Sequence, residues 1–481
     1  MGELSAYWLV FVIVAASFVV LTRRTKRFSH GTVLGFFHPY CDSGGGGERV
    51  LWVMVLSLLE SWKDILHIVV YSGDFYENEE VTKRTILQKV KDRFKIDIIG
   101  RFYDNISFVR IHSRPLLEAN WYPIGTMIFQ SIASIIVGFE CLHNVVPDLY
   151  IDTTGAAFIY PLVNLWSLGT TKVCAYVHYP IISTDMLSKV REQRPGYNNN
   201  SRIASSVTIS TLKLLYYKLF ACFYSIVGSY ADIVMVNSTW TYSHINSLWN
   251  KSGKKSINVV YPPCNTRQLA QDTVGSASRK NTILSIGQFR PEKDHFMQLK
   301  AFQLYLSALP TTSRTNVELI LLGGTRNRED EQLVGRLRST AEEYGILSQV
   351  SFITNAKYEQ MLQLLQTSTV GLHTMWNEHF GISVVEMMAA GLIVIAHKSG
   401  GPKLDIISVG ETLGKNTKGT TGYLADTPEE YASHMNHILN EINSSDQEEI
   451  RSSARASVDR FSDEIFKENV KKIFIERGVF M

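Results

Sequence analysis

The sequence has no pair of aspartates at D-x-D spacing, no C-x-x-C pair and no Walker loop. Without D-x-D, charge on a departing phosphate has to be met by cationic side chains and helix N–H groups. No zinc or calcium ligand pattern is present, and no nucleophile–base arrangement can be singled out for covalent catalysis. The five cysteines, Cys41, Cys141, Cys174, Cys222 and Cys264, are scattered and odd in number. They read as reduced thiols in a cytosolic environment rather than as a disulfide framework or zinc site. Charge of one sign is also missing: Lys plus Arg is 48 and Asp plus Glu is 45, a net charge of +3. That balance argues against a dedicated nucleic-acid binder, so no nucleic acid is expected as a partner. Charged residues are 19% and hydrophobic residues 45%, which excludes wholesale disorder and supplies large packed cores.

What is present begins with an apolar run, Ala6 to Leu21, followed at once by Arg23, Arg24, Lys26 and Arg27. A cleaved signal peptide carries its positive charge before the apolar core, not after it. The run therefore reads as an uncleaved, slightly short membrane anchor, suited to a thin membrane such as the endoplasmic reticulum. The positive-inside rule places the rest of the chain in the cytosol.

Short apolar runs then alternate with amphipathic stretches. Strands are expected at 32–37, 65–71, 106–111, 148–153, 173–178 and 233–236. A second series follows at 283–286, 317–322, 350–353, 370–373 and 393–396. Such alternation predicts parallel sheets covered on both faces. The expected fold class is α/β, two doubly wound Rossmann-like domains facing a cleft, plus an N-terminal transmembrane helix. Residues 1–29 would be the anchor and its basic flank, 30–264 the first domain, 265–280 a polar linker and 281–460 the second domain. Residues 461–481 would form a helix returning to the first domain. Two further apolar stretches, Ile124 to Cys141 and Val207 to Val227, carry Gln130, Glu140, Lys213 and Lys218. Each reads first as a buried helix; the rival is an apolar surface dipping into a membrane interface.

Three loops fall at strand ends, where ligands bind in such sheets. Gly44-Gly45-Gly46-Gly47-Glu48 follows the first strand and opens a helix, a setting in which backbone N–H groups meet an anion; a flexible turn would give the same glycine run. Gly287-Gln288-Phe289-Arg290-Pro291-Glu292-Lys293 offers Arg290 and Lys293 to a departing phosphate, although a solvated polar loop has the same composition. Glu378 and Glu386 flank Phe380-Gly381-Ile382 at a helix start, about 12 Å apart along the axis. That suits a sugar at Glu378, a diphosphate on the N–H groups of Phe380, Gly381 and Ile382, and a ribose at Glu386. An amphipathic helix with two incidental acids would look similar. His178 ends a strand at the cleft edge, where a structural or a functional role is open.

Together these segments resemble the retaining GT-B glycosyltransferases marked by E-x7-E, from the glycine loop to the last helix. His38-Pro39-Tyr40, Val177-His178-Tyr179-Pro180, the loop at Gly287 and Ser399-Gly400-Gly401-Pro402 narrow this. They are similar to the α-1,2-mannosyltransferases of the endoplasmic reticulum that extend dolichol-pyrophosphate-linked oligosaccharide for protein N-glycosylation. The resemblance implies GDP-mannose as donor, addition of the fourth and fifth mannoses on the cytosolic face, and no metal or other cofactor. It makes His178, Lys293 and Glu378 catalytic. Arg290, Lys293, Glu378, Phe380, Gly381, Ile382 and Glu386 would bind the donor, and Gly44, Gly45, Gly46, Gly47 and Glu48 would meet the acceptor side and the diphosphate. Expected partners are the membrane, the lipid-linked oligosaccharide and other mannosyltransferases of the pathway. One departure is Gln288, where many members carry Arg, which shifts that role to Arg290. The rivals are a nucleotide-sugar epimerase and a non-catalytic membrane subunit on the same fold. A membrane anchor has no use in the first, and both glutamates with Arg290 and Lys293 have none in the second.

Overall fold

The computed structural model describes residues 31–183, 207–253, 255–273, 279–310, 316–408 and 419–480. The apolar anchor lies outside the described residues. The first lobe carries a seven-stranded sheet. Its strands are β1 (Thr32–Phe37), β2 (Leu66–Ser72), β3 (Ile106–Arg110), β4 (Leu149–Asp152), β5 (Lys172–Val177), β6 (Ile233–Val236) and β7 (Ile257–Val259). Their order is β3-β2-β1-β4-β5-β6-β7, all parallel.

The second lobe has six parallel strands, β8 (Lys280–Ile286), β9 (Glu318–Gly323), β10 (Val350–Thr354), β11 (Ser368–His373), β12 (Ile393–His397) and β13 (Tyr423–Ala425). They run β10-β9-β8-β11-β12-β13. In both sheets the order reverses beside the first strand, between β1 and β4 and between β8 and β11. Loops leaving these strands diverge there and open a crevice. Both faces of these strands are covered, as Ile233–Val236 and Ser368–His373, buried at every position, show.

The helices that matter for the site are α1 (Gly46–Trp62), α2 (Thr126–Asn144), α3 (Val207–Gly228), α4 (Thr239–Trp249), α5 (Thr266–Thr273), α6 (His295–Ala308), α7 (Ile382–Ala389) and α8 (Asp463–Glu476). Part of the polar stretch 265–280 is α5, packed beside α7, and β8 already starts at Lys280. Helix α8 inserts Phe466, Val470, Ile473 and Phe474 into the first lobe's core, beside Trp52 and Val55 of α1. Arg49 on α1 fastens this junction: Nη2 donates to Asp463 at 2.6 Å and Nε to the Pro263 carbonyl at 3.2 Å.

Helix α2 departs from the buried-helix expectation. Its inner face, with Ser134, Val137 and Cys141, is buried. Phe129, Ile132 and Ile136 on the other side are about half exposed, at 49%, 50% and 51%. Leu215, Leu219 and Phe223 of α3 are exposed in the same way. Among the described residues each helix carries apolar side chains beyond the stripe that the core covers. By length and composition, α2 is long and apolar enough to cross a membrane.

Candidate active site

The first lobe brings three loops together. After β1 the chain turns through the glycine run, and Gly44 takes φ +76 with the Arg93 side chain where its Cβ would stand. Glu48 does not point its whole carboxylate outward. Oε2 accepts from the Gly45 N–H at 2.6 Å, and Oε1 lies 3.6 Å from His38 Nε2. Burial pushes the Glu48 carboxyl up, but the hydrogen bonds from His38 and the backbone N–H groups outweigh it and hold it below its ordinary range. Nδ1 of His38 is 2.7 Å from Thr153 Oγ1 at the end of β4.

His178 follows β5 and lies edge-on to Tyr176, centroids 5.0 Å apart. Its Nε2 is buried without a hydrogen-bond partner among the described residues. A Cβ on Gly47 would stand 3.6 Å from that nitrogen, in ordinary contact with it. Burial, with His38 nearby, lowers the His178 imidazole to about 4, so it is neutral near pH 7.

The second lobe contributes the other wall. The loop after β8 fits only because Gly323 has no side chain: a Cβ there would meet the Gly287 oxygen at 1.9 Å. This folds Phe289 into the core and carries Lys293 towards β11. Lys293 Nζ reaches Glu378 Oε2 at 2.5 Å, and His373 Nε2 reaches the same oxygen at 3.1 Å. Burial pushes the Glu378 carboxyl up, yet Lys293 and His373 hold it well below its ordinary range. Arg290 Nη1 lies 3.8 Å from Glu292 Oε1, and its Nε is buried without a hydrogen-bond partner among the described residues.

The backbone around Glu378 is shaped from below. Asn377 adopts φ +50, and its N–H donates to Ser399 Oγ at 2.8 Å. Gly401 N–H donates to the Glu378 carbonyl at 2.8 Å. Phe380 turns inward against Tyr261 and Phe461. Gly381, at φ +112, is the N-cap of α7. Glu386 follows one helical turn after Ile382, and its carbonyl accepts from the Ala390 N–H at 2.9 Å. Burial, opposed by Arg49, pushes its carboxyl up to about 7.

The lobes meet across this crevice. A Cβ on Gly46 would fall 2.5 Å from Ile382 Cδ1. The Tyr179 and His379 rings stack at 5.3 Å, and Asp405 accepts from the Thr239 N–H at 3.0 Å and Tyr261 OH at 2.9 Å. The structure thus gathers Lys293, Glu378 and the start of α7 in one cluster. His178 and Gly44–Glu48 form the facing wall, and Arg290 pairs with Glu292 rather than with Glu378. Sequence reasoning did not single out His373, Gly323 or Asp405. For His373 the available signal was its place at the end of a strand beside the acidic motif. A cavity of about 930 Å³ extends from Pro39, Tyr40 and Tyr179 to Lys213 and Tyr217, between α2 and α3.

Residues 31–249 match a family described as ALG11 mannosyltransferase N-terminus, and residues 267–456 one described as Glycosyl transferases group 1. The GDP-Man:Man(3)GlcNAc(2)-PP-Dol alpha-1,2-mannosyltransferase of Xenopus laevis is 44% identical over 469 residues, 96% of this chain and 92% of its own. Its Homo sapiens counterpart, of the same name, is 44% identical over 94% of this chain and 89% of its own. Among solved structures, Anabaena Alr3699/HepE in complex with UDP and glucose superposes with a TM-score of 0.60 at 16% identity, covering 92% of this chain and all of that one (100%). The OtsA apo structure gives 0.61 at 9% identity, covering 92% and 99%. Two facing doubly wound lobes with these matches make the chain a GT-B glycosyltransferase. Within that class it belongs to the family of GDP-Man:Man(3)GlcNAc(2)-PP-Dol alpha-1,2-mannosyltransferases.

Proposed function

We propose that this enzyme moves α-mannose from GDP-mannose to a dolichol-pyrophosphate-linked oligosaccharide, adding the fourth and fifth mannoses in α-1,2 linkage. The observation that carries the reading is the Lys293–Glu378 pair at the ends of β8 and β11, beside the open N-terminus of α7. Lys293, with Arg290, holds the diphosphate together with the N–H groups of Phe380, Gly381 and Ile382. Glu378 accepts from mannose hydroxyls and Glu386 from ribose hydroxyls. Neutral His178 offers its bare Nε2 to the transferred sugar from the facing wall. Gly44 to Glu48 bring the acceptor close, because four positions without side chains let the backbone approach it.

Retention without an evident carboxylate nucleophile fits front-face transfer. The mannose C1–O bond breaks with its electron pair passing to GDP. The acceptor hydroxyl oxygen bonds to C1 on the same face, and its proton passes to the departing phosphate oxygen. Incubation with radiolabelled GDP-mannose or UDP-sugars and a lipid-linked trimannosyl acceptor tests the assignment. Two α-1,2-mannoses added from GDP-mannose alone are expected. Release of an epimerised nucleotide sugar, or transfer from a UDP-sugar, would overturn it.

Glu386 gives a second test. A carboxyl accepts ribose hydroxyls more strongly when ionised, and burial pushes this one up to about 7. Raising the pH from 6 to 8 should therefore tighten GDP binding, measured by calorimetry. Glu386→Gln should remove that pH dependence and weaken binding by about ten- to a hundredfold, the range for hydrogen bonds to a charged group. An unchanged pH profile in the variant would detach Glu386 from the ribose.

The body sits on the cytosolic face of the endoplasmic reticulum membrane, held by the N-terminal apolar segment. The exposed apolar faces of α2 and α3 support a membrane-apposed first lobe, and the aromatic cavity between them suits acceptor sugars. The sequons at Asn105, Asn199, Asn237, Asn250 and Asn443 should then all remain unmodified. Asn199 lies outside the described residues; Asn237 is buried and accepts from Thr241 Oγ1 at 2.6 Å. Enzymatic deglycosylation should leave gel mobility unchanged, and a shift would place the body in the lumen.

A further inference from the structure

Glu378 Oε2 is shared by two donors that differ in their freedom. Lys293 is 23% exposed, on a long stem, with Nζ at the edge of the crevice. His373 is 3% exposed, at the last position of β11, where Tyr431 OH also donates to its carbonyl at 2.9 Å. We infer that His373 is a positioning residue for the transfer reaction. Its Nε2–H holds the Glu378 carboxylate in place when the diphosphate of the donor draws Lys293 away. This rests on the reading of Lys293 as a phosphate ligand and of Glu378 as a sugar contact.

The ion pair with Lys293 offsets the burial of Glu378, and His373 adds a second hydrogen bond. A diphosphate competes for the same ammonium and carries more charge than one carboxylate. Once Lys293 turns towards it, Glu378 keeps its burial and loses most of its compensation. A buried carboxylate with no donor either protonates or swings to find one. Either change would spoil its hydrogen bonds to the sugar, which must hold as charge develops at C1.

The imidazole suits this duty because it cannot leave. Its Nδ1 is buried without a partner among the described residues. A proton on Nδ1 would be an orphaned donor, so the proton belongs on Nε2, where Glu378 accepts it. Burial lowers the ring's affinity for a second proton against the pull of Glu378, so it acts as a neutral donor. The other titratable groups around the pair are Lys293, His295 and His397 towards the imidazole and His379 towards the carboxylate, with Asp294 and Asp426 beyond His397. Of these only Lys293 hydrogen-bonds to Glu378 among the described residues.

The test compares His373→Leu with His373→Gln in the full-length membrane enzyme. Gln can place an amide N–H near the position of Nε2, and Leu fills similar space without a donor. The Leu variant should lose about ten- to a hundredfold in kcat, with KM for GDP-mannose within about threefold of wild type. The acid limb of its kcat–pH profile should move to higher pH, since a carboxylate that has lost a donor protonates more readily. Gln should recover most of the rate and return the limb towards wild type. Equal impairment of both variants, or an unmoved acid limb, would overturn the inference by leaving only a packing role. If the Leu variant does not fold, Gln against Asn makes the same comparison, because the shorter amide cannot reach Oε2. In a Glu378→Gln background, loss of the imidazole should change kcat by less than about threefold, as it acts only through the carboxylate. Wild-type rates in Glu378→Gln itself would sink the underlying site reading. A damaged Glu378→Gln beside an undamaged His373→Leu would sink this inference alone.

Discussion

Lys293→Ala should lower kcat by about a hundredfold to a thousandfold, the cost of removing one preorganised charge partner from a transition state. The Lys293 ammonium stands 2.5 Å from the Glu378 carboxylate, where a diphosphate at the N-terminus of α7 would meet it. That ion pair keeps the lysine extended into the crevice instead of folded onto the surface. In front-face transfer no enzyme nucleophile shares the burden, so the protein acts mainly by stabilising charge on the departing GDP. Arg290 is a weaker second: its Nη1 stands 3.8 Å from Glu292, and of the two cations it is Lys293 that pairs with Glu378. Arg290→Ala should therefore cost less than Lys293→Ala. The fold should survive, because Lys293 belongs to a cleft loop and no hydrophobic core includes it. Removing the ammonium also leaves Glu378 with one donor, so the residual activity should fall further at low pH. Steady-state kinetics on a variant with wild-type thermal stability decide the matter. Turnover within about threefold of wild type would mean that the diphosphate is held elsewhere.

The sequence disclosed the fold well because parallel strands buried on both faces are apolar at nearly every position. Runs such as Thr32–Phe37 and Ile393–His397 have few other readings. The two strands it hid, Ile257–Val259 and Tyr423–Ala425, are three-residue edge strands, too short to show a period. Helices α2 and α3 were harder for a different reason. Composition records that a side chain is apolar, while its covering depends on what packs against it, and Ile132 stays half exposed among the described residues.

The site was legible as separate loops and illegible as an arrangement. Lys293 and Glu378 each stood out, yet their contact joins loops 85 positions apart and follows from the adjacency of β8 and β11. Glu48 stood out as part of a loop open to ligands, while its carboxylate is largely committed to the Gly45 N–H and His38. His373 carried no signal of its own, because its role lies in the oxygen it shares with Lys293. Its resemblance to any strand-end histidine disappears only when the register of β11 is known.

Gly401→Ala is expected to lower kcat by about a hundredfold or more, although Gly401 would touch neither substrate. The chain from Asn377 to Phe380 lies directly on the Gly400–Gly401 backbone. A Cβ on Gly401 would stand 2.4 Å from the Phe380 oxygen and 2.5 Å from Phe380 Cα. These are backbone atoms with no side-chain freedom to yield, so the segment itself has to move. Phe380 cannot simply slide away, because Tyr261 and Phe461 hold its ring on the other side. The displacement passes to Glu378, whose carbonyl accepts from Gly401 N–H at 2.8 Å, and to Gly381, which starts α7. A shift of about 1 Å in such a segment is enough for a hundredfold loss in rate. Overpacking of this kind costs about 1–3 kcal/mol of stability, which a lobe with this much buried apolar surface can absorb. The backbone at Gly401 is itself helical, φ −59 and ψ −43, so an alanine there is strained by its contacts and not by its dihedrals. Gly400 differs: at φ +57 it combines a left-handed backbone with a Cβ position 2.2 Å from the Glu378 oxygen, so Gly400→Ala should be worse in stability as well as in rate. Kinetics and GDP binding measured on folded Gly401→Ala separate loop displacement from unfolding. Near-normal turnover would show that the loop over Gly401 has slack and that the position of Glu378 is set elsewhere.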